Sequence, residues 1–192
     1  MKTAIIIHGK PPKEEYLDLR ENSPSNKHWI PWVQHQLNIK GVLTQTPEMP
    51  NPYEPVYEEW KLVFEQFNID NNTSLIGHSC GGGFLIRWLS EQKNIMVDNI
   101  ILVAPWLDLE HHLKTNFFNF TIDSNITDRA KKISIFYSTD DDDDILGSVN
   151  RIKNIIPSIY LKKFINHGHF TYGDMKTDKF PELVEEILSG LK

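Results

Sequence analysis

The chain has 192 residues, enough for one well-packed domain and short for two. Apolar residues make up 40% and charged residues 24%, with a formal net charge of −6, which argues against nonspecific binding to nucleic acid or anionic membranes. One cysteine, Cys80, excludes an internal disulfide framework and a cysteine-based zinc site.

Thr3-Ala4-Ile5-Ile6-Ile7 is a continuous β-branched run, the pattern of a strand buried on both faces. It is too short to span a membrane or to form the apolar core of a secretory signal, so a cytoplasmic protein is expected. His8-Gly9-Lys10 makes a turn after it. Pro11 to Lys27 reads as a long polar surface loop with prolines at 11, 12 and 24. Trp29, Val33 and Leu37 then recur four apart, predicting an amphipathic helix with Pro31 in its first turn.

Val42-Leu43-Thr44 is a short second strand, and Tyr57, Trp60, Phe64 and Phe67 mark a second helix. Leu75-Ile76 leads through Gly77-His78-Ser79-Cys80-Gly81 into a nearly all-apolar helix start at Phe84 to Leu89. Asn99 to Ala104 is a fourth strand, and Pro105 to Lys132 reads as irregular, with aromatics at Phe117, Phe118 and Phe120. Ile133 to Tyr137 is a fifth strand ending in the run Asp140 to Asp144. Ile152 to Ile156 suggests a helix, Ile159 to Phe164 a sixth strand, and Lys179 to Leu191 a closing helix with Leu183, Ile187 and Leu191 in line. Alternating strands and helices imply a parallel sheet covered by helices on both faces. Such sheets carry function at the C-terminal ends of their strands. His8-Gly9, Ser79, the aspartate run and His169 all fall at such ends.

Gly77-x-Ser79-x-Gly81 between a strand and a helix is the setting of a nucleophile elbow, a sharp turn that lifts a serine hydroxyl clear of the sheet. The pattern alone occurs by chance in roughly 5% of chains this long, so its context decides. A serine nucleophile needs a base, and the base needs an acid to hold its tautomer. Asp140 to Asp144 and then His167-Gly168-His169 follow Ser79 in that order. Each piece has a plainer reading. The aspartates could be a solvated turn or a loose cation site, His167 and His169 a metal pair, and His111-His112 surface residues. Cys80 is read as a donor of backbone N–H and a small packing side chain, because the central elbow position belongs to Ser79.

The chain resembles the retinoblastoma-binding-protein-9 and YdeN-like small serine hydrolases of the α/β-hydrolase superfamily. The matching pieces are His8-Gly9, His28-Trp29-Ile30-Pro31-Trp32, Met49-Pro50-Asn51-Pro52, Gly77-His78-Ser79, Ser138-Thr139-Asp140-Asp141 and Gly168-His169-Phe170. Two features depart from that family: Asp142, Asp143 and Asp144 replace its proline and apolar residues, and the segment Lys10 to Lys27 is longer. The resemblance implies a three-layer α/β-hydrolase fold as one domain over residues 1–192. About six mostly parallel strands and a small lid at Pro105 to Lys132 are expected. It further implies Ser79 as nucleophile, Asp141 as acid and His169 as base, while mutual repulsion is expected to send Asp142 to Asp144 into solvent. The oxyanion is expected on the backbone N–H groups of Cys80 and, by analogy, Lys10. Phe117, Phe118 and Phe120 are expected either to wall the acyl pocket or to pack the lid on the core. Small carboxylic esters are the expected substrates, with thioesters and short amides open and no metal or organic cofactor required. The alternative, from another class, is a non-catalytic interaction module on the same fold.

Overall fold

The computed structural model describes residues 1–189. Its frame is one six-stranded sheet, all neighbours parallel, in the order β2-β1-β3-β4-β5-β6. The strands are β1 (Thr3–Ile7), β2 (Leu43–Gln45), β3 (Thr73–His78), β4 (Val97–Val103), β5 (Ala130–Ser138) and β6 (Tyr160–Phe164). The helices are α1 (Lys13–Tyr16), α2 (Ile30–Ile39), α3 (Tyr57–Phe64), α4 (Cys80–Glu91), α5 (Asp143–Ile155), α6 (Tyr172–Met175) and α7 (Pro181–Ser189).

Side-chain alternation along the strands sends the core to both faces of the sheet. Ile5, Ile7, Leu75, Ile100, Leu102 and Ile135 point to one face, where they meet α3, α4 and α5. Ala4, Ile6, Ile76, Ile101, Val103 and Phe136 point to the other, where they meet α2 and α7. The β-branched runs of β1 and β4 thus serve two cores at once, which is why they carry no polar alternation. On the first face Trp60, Phe64, Phe84 and Phe117 interlock edge to face, with Trp60–Phe117 ring centroids 5.0 Å apart and Phe64–Phe84 5.3 Å. The helix α4 is buried from Cys80 through Ser90, so it forms the centre of that layer rather than a surface.

The connection from β1 runs outward to β2, and the chain then returns to place β3 on the other side of β1. The winding therefore reverses between β1 and β3, leaving a crevice beyond their C-terminal ends where doubly wound sheets hold ligands. Ser79 and Gly9-Lys10 flank that crevice.

Several sequence-based boundaries shift. The loop over 11–27 contains α1 and a 3-10 turn, Pro24–Asn26, and buries Pro11, Pro24 and Ser25. β5 starts at Ala130, within the stretch read as irregular, because Ala130 and Lys132 pair with Val97 and Asn99 of β4. The helix suggested at Ile152 to Ile156 begins nine residues earlier, at Asp143, with Asp143 and Asp144 in its first turn. The closing helix is described through Ser189; Leu191 lies outside the described residues.

Two glycines make the central turn possible. A Cβ on Gly81 would stand 2.4 Å from the Ile7 carbonyl oxygen, and one on Gly77 would stand 2.6 Å from the Gly81 backbone. Neither neighbour is a flexible side chain. Gly81→Ala is expected to destabilise the protein by about 1–3 kcal/mol or more in urea denaturation. Gly173→Ala, where the nearest atom is the Thr171 hydroxyl at 3.4 Å, is expected to be neutral or slightly stabilising. Equal effects of the two would show that the close approach at Gly81 carries no constraint.

Candidate active site

Ser79 joins β3 to α4 with φ 52° and ψ −117°, a conformation that costs a residue bearing a Cβ on the order of 1–3 kcal/mol. Four backbone bonds hold it there. Its N–H donates to the Val103 carbonyl at 2.9 Å, and its carbonyl accepts from Gly82, Gly83 and Trp106 at 2.9, 3.2 and 3.0 Å. The side chain stands over the crevice, with the residue 9% exposed. Cys80 opens α4, so its N–H has no partner within the helix. Its thiol is fully buried, and burial pushes its pKa far above the ordinary thiol range.

Asp141 follows β5 with its carboxylate almost wholly covered, its side chain 1% exposed. The carboxylate accepts from the Asp142 N–H at 2.8 Å, and its oxygens lie 3.1 and 3.2 Å from His169 Nδ1. A carboxylate accepts only, so Nδ1 carries the proton and Nε2 keeps its lone pair. Nε2 has no hydrogen-bond partner among the described residues. The His169 ring and Ser79 border the same two cavities. Catalytic hydrogen bonds often close only when substrate is bound.

Asp140, next in line, does something different. It accepts from the Ser138 hydroxyl at 2.5 Å and the Gly168 N–H at 3.3 Å, while the Ser138 hydroxyl accepts from the His167 N–H at 3.1 Å. These bonds tie the end of β5 to the turn after β6. The His167 ring packs between Phe164 and Phe170, at centroid distances of 4.9 and 5.7 Å, away from Ser79.

The turn presenting His169 runs through three left-handed residues, Asn166 at φ 59°, Gly168 at φ 47° and Phe170 at φ 58°. A Cβ on Gly168 would stand 2.7 Å from Asp174 Cγ. Asp174 accepts from the His169 N–H at 3.1 Å and from the Thr171 hydroxyl at 2.7 Å, and its own N–H closes a capping box on Thr171. On the opposite side His78 donates from Nε2 to the His169 carbonyl at 2.8 Å. His78 is 3% exposed, with its ring 5.1 Å from that of His169. Burial, reinforced by His169 and His28, pushes its pKa well below the ordinary histidine value, so the ring is neutral. Neither Asp174 nor His78 was singled out from the sequence. The Thr171-x-x-Asp174 spacing is a capping pattern that could have revealed the first.

On the β1 side, His8 is held by two bonds. Its Nε2 accepts from the Met49 N–H at 2.9 Å, and its Nδ1 donates to the Gly9 carbonyl at 2.7 Å. Burial lowers its pKa, consistent with this neutral tautomer. Gly9 lies against the nucleophile: a Cβ there would stand 3.2 Å from Ser79 Cβ. The Lys10 N–H makes no hydrogen bond among the described residues.

Two cavities meet at Ser79. The smaller, about 180 Å³, is walled by Pro11, Pro12 and Ile30 and floored by His78 and Ser79. The larger, about 410 Å³, is lined by Trp106, Glu110, His112 and Asp142 to Asp144. Lys10 and His169 belong to both. None of Phe117, Phe118 and Phe120 borders either. Phe117 is fully buried against Trp60 and Phe84. Phe118 packs on Trp106, over the bare Cα of Gly83, and with Phe120 borders a third cavity beside Leu107 and Arg151. The apolar core draws the aromatics down, so the pocket expectation gives way to lid packing. Asp144 also departs from the expected solvated run: it accepts from the Trp106 indole N–H, and from the Leu109 N–H at 3.1 Å. Asp142 and Asp143 are exposed, as expected.

A family model described as serine hydrolase matches residues 20–165. YdeN of Bacillus subtilis (strain 168) is 30% identical over 149 residues, covering 73% of this chain and 71% of that protein. The crystal structure of the ydeN gene product from B. subtilis superposes with a TM-score of 0.83 at 26% identity, covering 100% of this chain and 99% of that one. Est1E from Butyrivibrio proteoclasticus, 18% identical, superposes with a TM-score of 0.65 over 99% of this chain and 88% of its own, a likeness of fold. The architecture is the three-layer α/β-hydrolase fold.

Truncating the buried aromatic separates its two readings. Phe117→Ala is expected to cost about 3–5 kcal/mol in stability, as large-to-small core changes do. The ratio of kcat/KM between short- and longer-chain acyl esters should be unchanged. A shifted ratio without loss of stability would return the aromatic trio to the acyl pocket.

Proposed function

This chain belongs to the serine hydrolase family, and we propose that it cleaves small carboxylic esters through an acyl-enzyme formed on Ser79. The observation that carries this reading is the His169–Asp141 contact. It spends Nδ1 and leaves Nε2 as a lone pair at the cavity shared with Ser79.

In the proposed cycle Nε2 takes the Ser79 hydroxyl proton as Oγ attacks the acyl carbon. The imidazolium so formed is stabilised by the covered Asp141 carboxylate. The proton then passes to the departing alkoxide and the C–O bond breaks. Water, deprotonated by the same Nε2, attacks the acyl-enzyme, and its proton returns to Ser79 as the carboxylic acid leaves.

The negative oxygen of each tetrahedral intermediate would be met by the N–H groups of Cys80 and Lys10. Support for Cys80 is its place at the first turn of α4, where N–H groups are free and the helix dipole is positive. Support for Lys10 comes from peptide planarity. Gly9 C=O is drawn to His8 Nδ1, and in a trans peptide the following N–H points the opposite way, away from the His8 ring. The cavities at Ser79, about 180 and 410 Å³, favour small substrates over polymers. Thioesters and short amides pass through the same intermediates.

Ser79→Ala is expected to abolish fluorophosphonate labelling and hydrolysis of a short-chain nitrophenyl ester, with the fold retained by circular dichroism. His169→Ala and Asp141→Asn should lose on the order of 10⁴-fold in kcat, since such groups act as a unit. His167→Ala and Asp143→Asn should stay near wild type, with Asp140→Asn between because it braces the turn. EDTA should leave activity unchanged. Wild-type protein that neither labels nor hydrolyses would point to the non-catalytic module. Loss of labelling in Cys80→Ala but not in Ser79→Ala would move the nucleophile.

A second consequence concerns the thiol. With Cys80 buried and its pKa raised, iodoacetamide at neutral pH should leave the native enzyme active and unmodified. Rapid modification with loss of activity would contradict that burial.

A further inference from the structure

His78 occupies the variable position before the nucleophile, and its two nitrogens have different fates. Nε2 lies 2.8 Å from the His169 carbonyl, an acceptor only, so Nε2 must carry the ring proton. In the neutral ring Nδ1 is then a bare acceptor. It has no hydrogen-bond partner among the described residues, although His78 is 3% exposed. An acceptor left without a protein partner, yet not sealed in the core as Trp29 Nε1 and Asn99 Nδ2 are, calls for explanation.

The surroundings of Nδ1 supply one. A Cβ on Gly9 would stand 3.5 Å from His78 Nδ1 and 3.2 Å from Ser79 Cβ, so the bare nitrogen and the nucleophile lie against the same glycine. Gly9, His78 and Ser79 all line the smaller cavity. At about 180 Å³ it is comparable with the ~150 Å³ that suffices to hold benzene, so it suits a group of a few heavy atoms. Pro11, Pro12, Pro24 and Ile30 give it an apolar wall, with Lys10, Glu15 and Lys27 at its border, while carboxylates from Glu110 and Asp142 to Asp144 line the larger cavity. We propose that the smaller cavity is the acyl subsite, and that it selects a short hydroxyacyl group whose hydroxyl donates to Nδ1 of His78.

A neutral donor fits better than an ammonium. Lys10, Glu15 and Lys27 border the same cavity; Glu15 is already paired with Lys27, whereas Lys10 makes no ion pair among the described residues, so a cationic acyl group would meet an uncompensated like charge beside Ser79. The proposal rests on the acyl-enzyme reading above and adds the chemistry of the acyl group to it.

The test compares matched nitrophenyl esters, 2-hydroxypropionyl with propionyl and 3-hydroxybutyryl with butyryl, by kcat/KM. In the wild type one hydroxyacyl ester should be preferred by about 10- to 100-fold over its deoxy partner, the range for leaving a buried acceptor unpaired. Two substitutions dissect the ring. His78→Gln keeps a donor near the position of Nε2 but no acceptor at Nδ1, and its ratio should fall to about one. His78→Asn puts an amide oxygen near Nδ1 and should recover most of the ratio. Each readout is a ratio on one protein, so rate lost from both esters through a displaced His169 cancels. A wild-type ratio near one for both pairs overturns the proposal while leaving the esterase reading intact. So does a ratio that survives in His78→Gln or falls equally in both variants. Failure to turn over any of the four esters overturns both.

Discussion

The backbone crossing at Gly81 is the constraint on which the rest of the site depends. The first turn of α4 lies against the Ile7 and His8 carbonyls so closely that no side-chain carbon fits between them. This contact forces Ser79 into its left-handed turn and brings the end of β1 beside it. Gly9 can then touch the nucleophile, and the Gly9–Lys10 peptide borders the same crevice. The strain in Ser79 is held by four backbone bonds from β4, α4 and the chain at Trp106. A preorganised turn of this kind needs no rearrangement when charge develops on a reacting oxygen.

Around that crossing, four histidines fasten the surrounding loops, each through ring nitrogens bonded to a fixed partner. His8 draws in the Gly9 carbonyl while accepting from Met49. His78 holds the carbonyl of His169, and His169 donates to Asp141. His28 Nδ1 accepts from the Tyr172 N–H at 3.1 Å, fixing the segment just beyond. Asp140 and Asp174 complete the fastening from the outside through Gly168 and His169 main-chain N–H groups. Burial keeps His8 and His78 neutral, which matters because a second imidazolium beside His169 would oppose the charge it must take up.

Most of the architecture was legible because it depends on local patterns. β-branched runs marked the buried strands, four-residue spacings marked α2 and α3, and Gly-x-Ser-x-Gly marked the turn between β3 and α4. Strand ends narrowed the acid and base to the aspartate run and to His167 or His169, and the family resemblance pointed to Asp141 and His169 among them. What escaped was set by tertiary contact. The aromatic trio looked like a pocket wall because its residues are apolar and lie outside regular elements. Trp60 and Phe84 drew Phe117 into the core, and Phe118 settled half-buried over the bare Gly83 instead. The aspartate run looked solvated, yet Asp144 serves Trp106 and Leu109 as the first turn of α5. The role of His78 was not readable, because it depends on a carbonyl 91 residues away.

The strand order has a consequence for how the protein comes into being. Residues 8, 79, 141 and 169 come from four strand ends spread over most of the chain, and the sheet joining them is wholly parallel. Every such pairing closes a long crossover before any contact rewards it, which makes parallel sheets slow to fold. The full set of site residues therefore spans nearly the whole chain, and a nascent chain cannot complete the crevice until the residues after β6 have emerged. Until then β3 and β4, buried along their whole length in the finished sheet, lack part of their cover.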